Sequence, residues 1–314
     1  DGMSISLTLT SANVRELSNM TSFRVMPKHI YEGKDTVTDE EARITCGPYV
    51  LESFNKEAGT ITFVVNEKYP QQPNVEKIVY QLFGNEDTMY LALQQGDIDM
   101  VWAYSAGVAG TYQDVLAGDA NVSLINVAAA NAPAVLAFNN AKGLFSNEDL
   151  RQAVSYALDY DAFKTYFGSA YAEIPNRGFV PATTVGYKET EKLTTDASKA
   201  DAYMKAAGYA EKNADGFYVN ADGQVAAFTL TVNAAKETHV GYAEMIKTQL
   251  EAFGIQVNLD TVDKDAYNAK TSNKFSENNI TMEVAIYGYT AAGMGMGNGL
   301  GSIYVDGNHA VQGG

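Results

Sequence analysis

The sequence predicts an α/β fold, and three observations support that prediction. Segments with apolar residues at helical spacing alternate with short segments rich in β-branched and aromatic residues. One stretch has the pattern strand, helix, strand: Phe228–Val232, a helical stripe over Tyr242–Phe253, and alternation over Ile255–Leu259. Such a unit favours parallel pairing of its two strands. The chain has 314 residues, enough for roughly two domains of about 150 residues each.

The first part of the chain is predicted to be mostly β. Ser4–Thr10 alternates polar and apolar residues, as a half-buried strand does. Tyr49–Phe54 and Thr60–Val65 flank a turn that contains Gly59, which predicts a hairpin. Ile78–Phe83 predicts a further strand, because it is rich in β-branched and aromatic residues.

One helix follows these strands. Asn85 is a favoured N-cap residue, and Gly96 is a favoured residue just beyond a helix end. Glu86 and Asp87 place negative charge in the first turn, where it interacts favourably with the helix dipole. The apolar stretch Ile98–Trp102 then predicts a strand directly after the helix.

The second half of the chain continues the alternation. An apolar stripe at helical spacing predicts the next helix: Leu150, Ala153, Val154, Ala157 and Leu158. Ser146 is expected to be its N-cap. Asp196 and Gly208 mark the start and end of another predicted helix. Met282–Tyr287 predicts the last strand.

The composition excludes several classes of protein. The chain has 22 Lys and Arg against 38 Asp and Glu, a formal net charge of −16. That charge excludes generic binding to nucleic acid or anionic lipid, because both need a basic face. Hydrophobic residues make up 46% of the chain, which is typical of a folded protein. No run approaches the ~18 apolar residues that a membrane-spanning helix needs.

The glycine-rich stretch Gly293–Gly301 does not match a nucleotide-binding loop. The dinucleotide fingerprint needs glycines at positions i, i+2 and i+5. No start within the stretch provides all of them, because Asn298, Leu300 or Ser302 stands at the last position. No Lys follows, as a phosphate loop requires. We therefore expect no nucleotide cofactor, and we interpret the stretch as a closely packed or flexible loop.

Residues that could support catalysis or bind a metal are scattered. Cys46 has no His in the same local pattern, so we interpret it as an inert apolar residue. The histidines lack the spacing of a zinc site: His29, His239 and His309. Asp97 and Asp99 lie at strand spacing on one face, which suits acid–base chemistry but is more typical of a solvated strand edge. No GxSxG motif is present. We expect the chain to bind no metal ion and no cofactor, and not to be an enzyme.

Several segments, taken in order, resemble one family. Val25–Gly33 is similar to the family's PKHIW segment, and Cys46–Leu51 to its GTGPY segment. Leu91–Asp99 is similar to ALQSGEIDI, and Phe138–Asn140 with Asp149–Asp159 to the FN and RVRQA-SYAID segments. The family is that of the large solute-binding proteins of ABC importers for dipeptides, oligopeptides and nickel, the extracellular solute-binding protein family 5.

The resemblance implies a fold of two lobes, that of a periplasmic binding protein of type II, and an incomplete one. Residues 1–135 would be the latter part of lobe one, 136–290 lobe two, and 291–314 a glycine-rich tail that returns toward lobe one. The chain would then be a fragment that lacks the N-terminal third and the C-terminal end of the usual family member.

The resemblance also implies a function. It implies capture of a solute outside the cell, most of all a peptide or a peptide-like solute, and delivery to the membrane permease of an ABC importer. The protein would be exported to the periplasm or lipid-anchored at the cell surface, and the chain carries no leader segment of its own. A monomer is implied for the complete protein, and self-association of the fragment is left open.

One departure from the family pattern keeps other ligands open. Peptide-binding members have a GW-ADY stretch, whose Asp pairs with the α-amine of the peptide. Gly288–Gly293 occupies that place, and Ala292 stands where the Asp would be. An oligosaccharide or a chelated metal therefore remains an alternative ligand, and an α/β hydrolytic enzyme remains an alternative function.

Ligand contacts are expected where segments leave strands at the surface between the two lobes, since ligands of α/β sheets bind at strand ends. The expected ligand-binding residues are Trp102, Tyr104, Phe138, Asn139, Arg177, Phe179, Tyr287 and Tyr289. The aromatic side chains would supply contact area. Arg177 would pair with an anionic group, unless it is an ordinary surface arginine.

Overall fold

A computed structural model gives the fold of the chain. It describes residues 4, 6–10, 20, 25–101, 108, 110–125, 131–141, 143–177, 187–271 and 280–290. The chain divides into two compact units. The small unit is Glu16–Val101, and the large unit is Asp1–Arg15 together with Trp102–Gly314. The lobe boundaries expected at residues 135 and 290 remain a prediction.

The small unit contains an antiparallel sheet and short helices. Its elements are α1 (Lys28–Tyr31), α2 (Asp39–Ala42), β1 (Tyr49–Asn55), β2 (Thr60–Val65), β3 (Lys77–Gln81) and α3 (Glu86–Gln95). The strand order is β1-β2-β3. The predicted hairpin is confirmed, because Asn55 pairs with Thr60 across the turn. In that turn Gly59 has a φ of 65°, in the left-handed region that glycine adopts readily.

Helix α3 begins and ends where the sequence predicts. The side-chain oxygen of Asn85 accepts the N–H of Thr88 at 2.9 Å, which satisfies one free amide of the first turn. At the other end Gly96 has a φ of 78° and allows the chain to leave the helix.

The strand predicted directly after α3 is wrong for its described residues, 98–101, which form no strand. The amides of Gly96 and Asp97 donate to the last carbonyls of α3, so the chain turns here. Met100 is exposed. Asp97 and Asp99 therefore do not share the face of a strand, and the acid–base interpretation of that pair loses its basis.

The large unit is α/β, as predicted. Its helices are α4 (Gly110–Ala117), α5 (Glu148–Ala157), α6 (Tyr160–Phe167), α7 (Ala197–Ala206), α8 (Glu237–Phe253) and α9 (Lys264–Thr271). Its strands are β4 (Asn131–Phe138), β5 (Glu211–Lys212), β6 (Tyr218–Val219), β7 (Ala227–Asn233), β8 (Gln256–Val262) and β9 (Val284–Thr290).

The main sheet of the large unit has the strand order β4-β9-β7-β8. Strands β7 and β8 are parallel, with Leu230 opposite Leu259, and α8 connects them. The predicted strand–helix–strand unit is thus confirmed. Strand β9 is parallel to β7, while β4 runs antiparallel to β9. Strands β5 and β6 form a separate hairpin.

Each face of the main sheet packs against its own core. The large core contains the sheet residues Phe228, Leu230, Val232, Val257, Val284 and Ile286, together with residues of α5, α7 and α8. The small core contains Tyr267 of α9 with Ile280, Met282 and Ala285, and Ala137 and Val262 pack against it. Because alternate residues of a strand point to opposite faces, α8 and α9 cover opposite sides of the sheet.

Two local predictions need correction. The described residues of the predicted first strand, 4 and 6–10, are irregular, and Leu7 and Leu9 are exposed, because no neighbouring strand pairs with them. The cap of α5 is Asn147, whose side chain accepts the N–H of Asp149 at 2.8 Å. Ser146 belongs instead to a short 3₁₀ turn before that cap.

Candidate functional site

The parallel strands of the main sheet end at a common edge, which we call the carboxyl edge. Strands β7, β8 and β9 end there at Asn233, Val262 and Thr290. Antiparallel β4 begins there, because Asn131 pairs with Thr290. From β7 the chain continues into α8 on one face, and from β8 into α9 on the other. When two adjacent parallel strands are followed by helices on opposite faces of the sheet, a crevice opens at the carboxyl ends of these strands. Ligands commonly bind in such a crevice.

Strand β9 separates from β7 near this edge. The two strands pair at Leu230 with Val284 and at Thr231 with Ala285, and their described pairing ends there. Pairing of β9 with β4 continues to Thr290. The end of β9, residues 286–290, is thus paired in the sheet with β4 and has no described pairing with β7. It contains Gly288, which is half-buried; glycine in a strand leaves room for close approach of another group.

Polar side chains lie beneath this part of the sheet. Thr231 of β7 is 1% exposed, and its hydroxyl donates to the Asp260 carboxylate of β8 at 3.2 Å. The Lys270 ammonium of α9 donates to the same carboxylate oxygen. At the end of β7, Asn233 is buried and its side-chain oxygen accepts the N–H of Ala235 at 3.0 Å. These contacts fix the loop that leaves β7 and hold α9 against the two strands.

Arg177 forms a cluster with the end of α5. One guanidinium nitrogen, Nη1, donates to the Ser155 hydroxyl at 3.1 Å, and the guanidinium carbon lies 4.0 Å from the centre of the Tyr156 ring. Nε lies 3.9 Å from the carboxylate of Glu191. Within the described part of the chain, the buried Nε and Nη2 atoms donate no hydrogen bond. The charge also lies near the carboxyl end of α5, where a cation is favoured.

The backbone of Arg177 belongs to the same cluster. Its amide donates to the Glu191 carbonyl at 2.7 Å, and its carbonyl accepts the Thr190 hydroxyl at 2.6 Å. Burial raises the pKa of the neighbouring Tyr160 phenol, against the opposite effects of its bond to Ser155 and of the Arg177 charge. With 22% of its side chain exposed, Arg177 ties the 187–192 segment to α5.

Comparison with known proteins gives the family. The model of the family described as bacterial extracellular solute-binding proteins, family 5 Middle, matches residues 1–308. The chain belongs to this family. It is 29% identical over 160 residues to the probable D,D-dipeptide-binding periplasmic protein DdpA of Escherichia coli, a match that covers 50% of the chain and 29% of DdpA.

Two further comparisons agree with this membership. The chain is 23% identical to the nickel-binding periplasmic protein of Escherichia coli over 271 residues, which cover 81% of the chain and 49% of that protein. The crystal structure of a putative peptide binding protein AppA from Clostridium difficile is similar with a TM-score of 0.72 at 20% identity, over 94% of the chain and 57% of AppA. The chain therefore spans about half the length of such relatives or less.

For this family 5 protein the resemblance in the sequence and the α/β class are both confirmed, and its structural relatives are two-lobed periplasmic binding proteins. The family and the fold are those of transport binding proteins found outside the cytoplasmic membrane. Among the described residues, no helix has both the length and the apolar character that a bilayer-spanning segment needs. The same residues contain no group of three or more His, Cys, Asp or Glu that could hold a metal ion.

Those residues predicted to contact ligand that the structure describes do not all lie at one place. Phe138 pairs with Val284 at the start of β9, at the edge opposite the carboxyl edge. Its ring packs against the large core, 4.6 Å from the ring of Phe145. Asn139 follows at the same end, and its side-chain nitrogen donates to the Met282 carbonyl at 3.0 Å. The side chains of Phe138 and Asn139 thus stabilise the core and the loop after β4.

Apart from Arg177, whose contacts are given above, the other predicted residues divide into two groups. The backbone of Tyr287 and Tyr289 lies in β9 at the carboxyl edge, opposite Val135 and Ala132 of β4. Trp102, Tyr104 and Phe179 lie outside the described residues.

Sequence reasoning missed the polar residues of β7, β8 and α9. Thr229, Thr231 and Asn233 alternate with apolar residues in β7, and that alternation was the available signal for a polar face. Lys270 lies in a polar helix with no marked pattern. Its contact with Asp260 depends on how α9 packs on the sheet.

Proposed function

We propose that this chain is the ligand-capture component of an ABC importer, or part of one, and that its solute is a peptide or a peptide-like molecule. The observation that supports this most is the end of β9, where the strand carries Tyr287, Gly288 and Tyr289 and has left the β7 ladder. A strand whose described pairing lies on one side only suits an extended peptide backbone on the other side, because main-chain bonds bind any sequence.

The polar side chains on the sheet are compatible with a peptide backbone as the ligand. The Asp260 carboxylate of β8 and the Lys270 ammonium of α9 pair with each other, so neither is an isolated charge. A peptide backbone needs donors and acceptors rather than an isolated buried charge, which would be costly without a partner. The D,D-dipeptide-binding relative is consistent with this class of solute.

A chelated metal is the second candidate, because the match to the nickel-binding relative covers 81% of the chain, a larger share than the 50% covered by the match to DdpA. Such a ligand would be held through its chelator, since the described residues contain no cluster of metal-ligating side chains. We further propose that the protein acts outside the cytoplasmic membrane, with a membrane permease as its partner, works as a monomer and catalyses no reaction. Anchoring by a lipid belongs to the same proposal.

The test is a thermal-shift and calorimetric screen of the complete natural protein that carries this sequence. The probes are synthetic dipeptides and tetrapeptides, nickel with a small chelator, and a linear oligosaccharide. We expect peptides to raise Tm, since a ligand at 100 times its Kd stabilises the folded state by about 2.7 kcal/mol. Stabilisation by nickel chelate alone would favour the second candidate. Cleavage of a peptide probe, measured by mass spectrometry, would contradict the binding role.

A further inference from the structure

Helix α9 is fixed to strands on both of its sides. At its start, the Asp263 carboxylate accepts the N–H groups of Asp265 and Ala266, each at 2.9 Å. Near its end, the Lys270 ammonium binds Asp260 of β8. The Lys270 carbonyl accepts the amide of Thr281 at 3.0 Å, just before β9 begins. The helix is therefore held between β8 and the chain that enters β9.

Tyr267 is the residue of α9 that reaches β9 itself. It is 4% exposed, and its ring lies in the small core with Met282 and Ala285. Its phenol donates a buried hydrogen bond to the Ile286 carbonyl at 2.7 Å.

The bond lies at the point where β9 leaves β7. The Asn139 amide donates to the Glu283 carbonyl at 2.8 Å, so the backbone groups of Glu283 point to the β4 side. Because these groups alternate along a strand, the carbonyl of Ile286 points to the β7 side. The last pair of the β7–β9 ladder is Thr231 with Ala285, and Ile286 would supply the next acceptor. The Tyr267 phenol thus occupies the position that a β7 amide would take in a continued ladder.

We propose that Tyr267 is a positioning residue for solute binding. Its bond to Ile286 holds the end of β9 at a fixed separation from β7, and so fixes the backbone of Tyr287, Gly288 and Tyr289. The effect on solute rests on the function proposed above, whereas the effect on β9 does not. Removal of the hydroxyl leaves a buried carbonyl without its donor, which is unfavourable, and the end of β9 is then free to shift.

The matched variants are Tyr267→Phe and Tyr218→Phe. Each keeps its ring in place and loses one phenol hydrogen bond of the large unit, which is buried for Tyr267 and partly buried for Tyr218. The Tyr218 phenol donates to Asp201 at 2.8 Å, and its residue is likewise 4% exposed. Tyr218 belongs to the large core and has no contact with β9 among the bonds described. It therefore controls for a general loss of stability.

The first measurement is hydrogen exchange of the ligand-free complete protein by mass spectrometry. We expect Tyr267→Phe to accelerate exchange in residues 286–290 by roughly three- to tenfold, as loss of one buried hydrogen bond implies. Tyr218→Phe should leave this segment at the wild-type rate. Unchanged exchange in Tyr267→Phe would overturn the proposal whatever the ligand is.

The second measurement is calorimetric titration with the synthetic tetrapeptides of the screen. We expect Tyr267→Phe to weaken binding by roughly three- to tenfold and Tyr218→Phe to leave it unchanged. Equal weakening in both variants would reduce Tyr267 to a stability role and overturn the proposal. If β9 exchange responds while no peptide binds even the wild-type protein, the proposed function fails and the positioning of β9 by Tyr267 stands.

Discussion

The two faces of the main sheet differ in what packs on them. On one face the large core buries aromatic and aliphatic side chains completely, such as Phe228 and Leu230. On the other face the described part of the small core holds four buried residues, and polar groups such as Thr231 and Asp260 lie beside it. Apolar burial supplies most of the stability of a fold, whereas directed hydrogen bonds fix geometry. We infer that the first face mainly stabilises the large unit and the second positions its carboxyl edge.

The largest effect should come from Leu230→Ala in the large core. Leu230 is 0% exposed in the middle of β7, and its truncation leaves a cavity between the sheet and α8. We expect a loss of about 3 kcal/mol in the free energy of unfolding, measured by urea denaturation. Thr229→Ala, at the half-buried neighbouring position on the other face, is the control, with an expected loss below about 1 kcal/mol. Equal losses of stability in the two variants would contradict the inference that the large-core face contributes more to stability than the other face.

A smaller effect is expected from Met282→Ala in the small core. Met282 is 3% exposed but has few apolar neighbours, so we expect a loss of about 2 kcal/mol, at the low end for such truncations. The same variant should accelerate hydrogen exchange in β9 more than in β7 and β8. Uniform acceleration in all three strands would show that the small core contributes to global stability alone.

The smallest effect concerns a charge at the rim of the large core. Hydrogen bonds from Lys205 and from the Tyr218 phenol lower the pKa of Asp201. A carboxylate whose pKa is lower in the folded state stabilises the fold above its unfolded pKa of about 3.9, and that contribution is lost as the pH falls through the lowered value.

Asp201→Asn should therefore cost stability near neutral pH and cost little in strong acid. The side chain is 35% exposed, so we expect a difference of less than about 1 kcal/mol, as for other solvated pairs. Urea denaturation of both proteins across this acid range measures it. A difference that stays constant with pH would mean that the Asp201 charge does not stabilise the fold.

The sequence predicts those parts of the fold that local signals determine. The cap Asn85 and the terminator Gly96 bound α3 correctly, and Gly254 ends α8 with a φ of 117°. The strand predicted over Ile98–Trp102 is wrong in its described part, where none of the described strands pairs with it, and pairing is a tertiary property.

The candidate site was harder to predict for the same reason. Phe138 ends a strand, but β4 runs antiparallel to β9, so its end lies at the edge opposite Tyr289. Strand direction cannot be read from residue spacing. The role inferred for Tyr267 has no local signal either, because it depends on α9 packing on the face opposite α8.

The central claim is that the carboxyl end of β9 contacts a peptide solute, and calorimetric titration of the complete protein with tetrapeptides tests it most directly. The variant is Tyr289→Ala, and the matched control is Tyr171→Ala, at a tyrosine that is 40% exposed elsewhere in the large unit. We predict that Tyr289→Ala weakens peptide binding by roughly tenfold or more, as truncation of an aromatic contact residue does, with the control unchanged. Wild-type affinity in Tyr289→Ala, at an unchanged Tm, would contradict the claim.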